Sequence, residues 1–208
     1  MYLITNKENL SQQFTWSENS HNKSLNENFD FKIYKSLKVA CFMHAIYDGF
    51  KNPNIWLCQS YNEKDIGYLL SCNELISLKN IEFELPSQEQ RINFAILCVL
   101  NVVKNPIFVD WAKLYLGNLD RTKEKAETTK KQLLSQLGTT ESYYQEHCSS
   151  AITFLTGIIE EEYLFSTAAT AHRAFHDSFD FSELKLDLEK MAAIASMLDS
   201  EQIYQFVK

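Results

Sequence analysis

The chain has 208 residues, of which 45% are hydrophobic and 23% charged, and its formal net charge is −7 at pH 7. A chain of this length and composition can bury a core of its own, as globular proteins do. No apolar run approaches the roughly 18 residues that a membrane span needs, and the first residues lack the basic and apolar regions of a signal peptide. We therefore expect a cytoplasmic protein that does not bind membranes. Because an acidic protein repels phosphate backbones, we also expect no direct binding of nucleic acid.

Glycine and proline, the residues that favour turns, are scarce, with only 5 Gly and 3 Pro in the chain. Many short strands would need many turns, whereas long helices need few. The composition therefore predicts an all-α fold, a single-domain multi-helix bundle of about seven to eight helices.

The first 29 residues show neither a helical nor an alternating period of apolar residues. Residues 5–29 hold six Asn and four Ser, with single aromatics at Phe14, Trp16 and Phe29. We expect 1–29 to form an irregular Asn/Ser-rich arm, which is either pinned to the body by its aromatics or partly disordered. Residues 30–208 then form a single helical domain.

A first helix is predicted from the cap residue Asp30 to Gly49, because apolar residues recur at spacings of three and four between them. Residues 62–77 also look helical, while Ile81, Phe83 and Leu85 alternate with glutamates as a strand would. One short β-hairpin or edge strand within residues 53–85 is therefore left open.

Cap motifs predict the next two helices. Ser87 and Gln90 have the spacing of a capping box, which would open an apolar helix over 88–103. Asn105 followed by Pro106 is a typical helix start, and that helix should stop near Gly117.

Four further helical stretches complete the predicted bundle. A polar helix over 120–137 carries an i,i+4 pair of Lys123 with Glu127. Residues 140–179 are expected to form two helices in series with a break at Ser166-Thr167. A capping box of Asp180 with Glu183 would begin a helix whose apolar seam recurs every three or four residues, and a last helix starts at Glu201. The seam consists of Leu184, Leu188, Met191, Ala195 and Leu198.

The five cysteines have neither zinc-knuckle nor C-x-x-C spacing. They are Cys41, Cys58, Cys72, Cys98 and Cys148. We expect free, buried thiols in a reducing compartment.

The best metal candidate is the pair His172 and His176, because histidines at i and i+4 share one helix face. A third ligand would have to come from elsewhere, such as the run Glu160–Glu162. His44 and Asp48 form a second i,i+4 pair, which could serve acid-base catalysis or be a buried histidine with its partner. We expect no metal and no cofactor. The alternative is a helical-bundle enzyme or metal-binding protein that uses His172, His176 and a carboxylate.

The acidic residues are concentrated in the last third of the chain. Residues 1–138 hold 16 Lys/Arg and 15 Asp/Glu, a net charge of +1, whereas residues 139–208 hold 4 and 12, a net charge of −8. Such a field attracts cationic partners and speeds their association. The predicted partner-binding residues are Glu160, Glu161, Glu162, Asp177, Asp180, Glu183 and Asp187.

These features favour a protein-binding or inhibitor module over an enzyme. The partner would be a basic protein, for example a cationic toxin or enzyme. Lysine outnumbers arginine 17 to 3 and there are 15 asparagines, a bias typical of an AT-rich bacterial genome. In general character the chain is similar to bacterial immunity or antitoxin-like inhibitors, although no motif carries that resemblance.

Overall fold

The computed structural model describes residues 1–11, 14–24, 31–46, 52–135, 163–180, 185–197 and 200–207. Their contacts divide the chain into two compact units, Met1–Leu85 and Pro86–Lys208. The first unit is built mainly of β-strands and the second of α-helices. The chain is therefore mixed α/β, and the predicted all-α helical bundle is wrong.

Nine strands and one α-helix are described in the first unit. The strands are β1 Tyr2–Thr5, β2 Leu10–Ser11, β3 Phe14–Thr15, β4 His21–Lys23, β5 Phe31–Tyr34, β6 Asn54–Tyr61, β7 Lys64–Asp65, β8 Leu69–Cys72 and β9 Glu74–Ile81. The helix α1 spans Leu37–Met43 and continues into a 3₁₀ turn at His44–Ile46. Seven strands form one antiparallel sheet in the order β4-β9-β6-β1-β5-β8-β7, while β2 and β3 pair separately.

The centre of the sheet is occupied by β1, which lies between β6 and β5. In this register Leu3 is opposite Trp56, and Ile4 is opposite Ile55. Successive side chains of a strand point to opposite faces, yet Leu3 and Ile4 are both buried, and so are all four residues of β8. Both faces of the central sheet are therefore covered, which removes the alternation of apolar and polar residues that marks a half-exposed strand.

One face is covered by the hairpin of β2 and β3 and the residues after it. Trp16 is 1% exposed and belongs to one apolar cluster with Leu3, Phe31 and Trp56. Its ring centroid lies 5.6 Å from that of Phe31, edge to face. The Trp16 Nε1–H donates to the Ser11 carbonyl oxygen at 3.4 Å. The expectation that aromatics pin this segment to the body is confirmed for Trp16.

The opposite face is covered by α1, which packs against β1 and β5. Tyr34 lies one residue after Ile33 on β5, so its side chain points away from the Trp16 cluster. Its hydroxyl donates to the Met43 carbonyl oxygen at 3.1 Å. The sheet is thus sandwiched between an aromatic layer and a short helix.

Three stretches of the first unit differ from expectation. Residues 1–29, expected to be irregular, contain β1 to β4 in their described part. The helix predicted from Asp30 to Gly49 is present only as α1 with its 3₁₀ turn, because β5 occupies Phe31–Tyr34. The helix predicted over 62–77 is also wrong, because β7, β8 and the start of β9 lie there. Instead of one hairpin or edge strand in 53–85, four strands are present. The turns use left-handed asparagines, with φ of 58° at Asn9, 59° at Asn19 and 55° at Asn62.

In the second unit the described helices are α2 Gln88–Val102, α3 Pro106–Leu116, α4 Lys123–Ser135, α5 Tyr163–Asp180, α6 Leu188–Ala195 and α7 Ser200–Val207. The central helix is α2, which packs against α3, α5 and α6. Nine consecutive residues, Arg91–Val99, are buried. A helix that is buried all round forms the middle of a core.

The cap predictions for α2 and α3 are confirmed. The Gln90 N–H donates to Ser87 Oγ at 3.2 Å, and the Ser87 N–H donates to Gln90 Oε1 at 2.9 Å, so both halves of the capping box are made. Asn105 Oδ1 accepts from the Ile107 N–H at 2.9 Å. The predicted pair on α4 is also present, with Lys123 Nζ 3.9 Å from Glu127 Oε1.

Two boundaries in the last third are corrected. The break predicted at Ser166-Thr167 is wrong, because α5 continues through both residues and the Thr170 hydroxyl donates to the Ser166 carbonyl oxygen at 2.8 Å. The predicted cap at Asp180 is wrong as well: Asp180 ends α5, while Asp187 caps α6.

The apolar seam of α6 is confirmed where the structure describes it. Three of its residues, Leu188, Met191 and Ala195, are buried, whereas Leu184 and Leu198 lie outside the described residues. The short last helix is present as α7. None of the helices described here is long and apolar enough to cross a membrane.

Candidate functional site

The predicted acidic docking residues are only partly described. Glu160, Glu161, Glu162 and Glu183 lie outside the described residues, as does the side chain of Asp180. Asp177 is only 7% exposed on α5, so its carboxylate offers little surface to a partner. Asp187 is exposed, and its Oδ1 accepts from the Lys190 N–H at 3.0 Å, capping α6.

The two candidate metal ligands on α5 do share one helix face, as their spacing predicts. The ring centroids of His172 and His176 lie 4.4 Å apart, with the rings nearly perpendicular. His172 is half-buried and His176 exposed. Within the described parts of the chain, no group of three His, Cys, Asp or Glu residues is placed to hold a metal ion.

The second histidine pair is described only at His44, since Asp48 lies outside the described residues. His44 is fully buried, and its Nδ1 lies 3.0 Å from the Cys41 carbonyl oxygen. A carbonyl oxygen only accepts, so Nδ1 carries the proton and donates it. This contact holds the imidazole against the end of α1.

Four of the five cysteines, Cys41, Cys58, Cys72 and Cys98, are free and buried as predicted, and Cys148 lies outside the described residues. Desolvation raises the pKa of the Cys58 thiol to about 12. Burial also raises the pKa of Cys98 well above its ordinary range. Because the thiolate is the reactive form, these two thiols are poor nucleophiles at neutral pH.

A groove in the helical unit is the site that the sequence did not predict. Its volume is about 380 Å³, and it is formed by residues of α2, α3, α6 and α7 together with the segment after α2. We call it the lysine groove. It is lined by Leu97, Leu100, Asn101, Lys104, Val109, Lys113, Lys190, Met191, Ile194 and Phe206.

The groove combines apolar surface with cationic side chains. Leu97, Met191 and Ile194 are buried, whereas the Phe206 ring is 56% exposed. Such a lining, mainly hydrophobic with a few polar groups, is typical of ligand sites, which have volumes of about 300–1,000 Å³.

The charged residues that line the groove in the described part of the chain are three lysines: Lys104, Lys113 and Lys190. Lys104 follows α2, and its Nζ donates to the Leu100 carbonyl oxygen near the end of that helix at 3.1 Å. Lys190 is one of four basic residues in the last 70 of the chain. The groove is therefore lined by positive charge, although the net charge of the protein is −7.

The three lysines were missed because they belong to three separate segments. Each is an ordinary solvent-facing lysine in its own sequence window, and only tertiary packing brings them to one groove. One weak signal was available: Lys190 stands between the predicted seam residues Leu188 and Met191 in an otherwise acidic region.

No family model, curated protein or solved structure matches this chain significantly.

Proposed function

We propose that this protein is a cytoplasmic binding module, of inhibitor type, that docks on a basic protein through its acidic last third. The observation that carries the proposal is the division of charge, −8 in residues 139–208 against +1 in residues 1–138. A division of this size produces a directional field, which accelerates encounter with a cationic surface.

The described carboxylates of α6 and α7 support this proposal. Asp187, Glu189 and Glu201 are all exposed, and they lie on the helical unit. Asp177 is buried, so the docking surface consists of the exposed acidic residues without it. Exposed charges of this kind act over about 8 Å at physiological ionic strength.

The general character of bacterial immunity and antitoxin-like inhibitors fits this arrangement. In such a role the protein covers a cationic partner and performs no chemistry. The partner supplies positive charge, and the acidic surface supplies orientation and a fast on-rate.

Charge reversal tests the proposal. A pull-down from the source organism identifies the partner, and binding kinetics follow at two salt concentrations. We expect Glu161→Lys with Glu162→Lys to slow association, and the wild-type on-rate to fall as salt rises. The matched control is Glu8→Lys with Glu18→Lys, which changes the net charge equally at two exposed positions of the first unit.

The proposal fails if the captured partner is itself acidic. It also fails if both double reversals change the on-rate equally, because the position of the charge would then have no role. Far-ultraviolet circular dichroism of each variant verifies that the helices remain.

The contact between His172 and His176 favours a second candidate, a metal-binding protein. Two imidazoles on one helix face supply two ligands, and a carboxylate would supply the third. Elemental analysis of the purified protein that shows about one zinc or iron per chain, lost in His172→Ala, would favour this candidate over the first. We expect no stoichiometric metal.

A further inference from the structure

We propose that the lysine groove binds a small amphipathic anion, with an aliphatic body and one compact carboxylate or phosphate head. The groove carries the opposite charge to the acidic docking surface, and the two adjoin at α6, where Lys190 follows Glu189. The two proposals fail on different results, because one is tested with small-molecule probes and the other with a protein partner.

The body of the ligand is set by the apolar lining. Leu97, Met191 and Ile194 form buried surface, and the exposed Phe206 ring adds an aromatic wall. Burying apolar surface is worth about 25 cal/mol per Å². An aliphatic chain in the groove would lie against these buried side chains and cover the Phe206 ring, which water otherwise contacts.

The head of the ligand is set by charge. Among the residues that the structure describes, three lysines and no acidic residue line the groove. An ammonium group is a point charge without the planar fork of arginine, so it attracts carboxylate and phosphate alike. The lining thus favours any compact anion over a neutral head, and it rejects cations.

The size of the groove favours a small ligand over a peptide helix. A helix about 10–12 Å wide takes up about 500 Å³ for each turn, whereas the groove holds about 380 Å³. A docked helix would therefore place only one or two side chains in it. A molecule of about ten carbons with a charged head can bury most of its surface there.

Calorimetric titration of the full chain tests the proposal with three probes below their micelle concentrations. The probes are decanoate, decyl phosphate and decanol. We expect both anions to bind about three-fold to a hundred-fold more tightly than decanol, because three exposed ion pairs are available and each contributes about 0.2–1 kcal/mol. The advantage of the anions should shrink as salt rises.

Two variants place the binding in the groove. Lys113→Met should weaken decanoate binding by about three-fold and leave decanol binding nearly unchanged. The matched control is Lys131→Met, an exposed lysine of α4 outside the groove. Val109→Glu puts a carboxylate among the lysines and should weaken decanoate binding more than ten-fold, by roughly 1.4 kcal/mol or more. Circular dichroism verifies that Val109→Glu is folded.

Several results would overturn the proposal. One is decanol binding as tightly as the two anions; another is equal loss of decanoate binding in Lys113→Met and Lys131→Met. An acidic amphipathic peptide that binds the groove when neither decanoate nor decyl phosphate does would also overturn it. If decyl phosphate alone binds, the carboxylate source is eliminated and the phosphate source is retained.

Discussion

Trp16 is expected to be one of the most important residues for the stability of the β-rich unit, although its segment reads as irregular in sequence. It is 1% exposed and packs edge to face against Phe31 at 5.6 Å. Replacing it with alanine removes the aromatic layer from one face of the central sheet. The surrounding strands cannot collapse into the space, because β1, β5 and β6 are held by their ladders.

The magnitude follows from the size of the lost side chain. Truncation of a buried tryptophan to alanine typically costs about 3–5 kcal/mol. A domain of the size of Met1–Leu85 has a total stability of about 4–13 kcal/mol, at about 0.05–0.15 kcal/mol per residue. Trp16→Ala should therefore remove about a quarter or more of the stability of this unit. Trp16→Phe, which keeps most of the packing and loses the bond to Ser11, should cost only about 1 kcal/mol beyond the lost volume.

Urea unfolding followed by peptide-resolved hydrogen exchange measures this cost in the first unit by itself. The matched control is Leu10→Ala in the same hairpin, where the side chain is 42% exposed and the change should cost less than about 0.5 kcal/mol. If Trp16→Ala and Leu10→Ala destabilise the unit equally, Trp16 is not part of its core and the packing argument is refuted.

Three further predictions concern single contacts. The hydrogen bond from His21 lowers the pKa of Glu74 below its ordinary 4.5, so this carboxylate stabilises the fold above about pH 4.5 and loses that effect as pH falls through its folded pKa. Urea unfolding over about three pH units, from roughly pH 3 to pH 6, should show the unfolding free energy of Glu74→Gln converging with that of wild type toward the acid end. A constant difference between the two free energies contradicts the assignment. Ser87→Ala removes half of the capping box made with Gln90 and should lower the stability of the helical unit by about 1 kcal/mol. If hydrogen exchange shows no loss of protection in α2, the cap is dispensable. At pH 8 a thiol with the pKa of Cys58 is about one ten-thousandth ionised. Iodoacetamide should therefore modify Cys58 only after urea is added. Rapid modification of Cys58 in the native protein, measured by mass spectrometry, would contradict its burial.

The helices that were predicted correctly have caps that work locally. Ser87 with Gln90, and Asn105 with Pro106, satisfy backbone groups within a few residues of themselves, so the sequence carries the whole signal. Their tertiary surroundings do not alter these bonds.

The sheet was missed for two physical reasons. Its turns use asparagine in the left-handed region, at Asn9, Asn19 and Asn62, so the scarcity of Gly and Pro did not mean a scarcity of turns. In addition, β8 is buried on both faces, and a short apolar run of that kind cannot be distinguished from part of a buried helix by its period. The abundance of asparagine, read as a genomic bias, was in part structural.

The two candidate sites also differ in whether local sequence predicts them. The shared face of His172 and His176 follows from i,i+4 spacing alone, and the structure confirms it. The groove around Lys104, Lys113 and Lys190 depends on the packing of distant helices, which no local pattern in the sequence specifies.

The position of β1 at the middle of its sheet bears on how the chain folds. Residues Tyr2–Thr5 pair with Asn54–Leu57, about fifty residues away in sequence, so β1 waits for β6 before their ladder can form. Because closing long loops costs entropy before any pairing offsets it, such non-local sheets fold slowly. The helices α2 and α3 are adjacent in sequence and can form early. We therefore expect refolding from urea to show a fast phase in helical circular dichroism and a slower phase in the burial of Trp16 and Trp56.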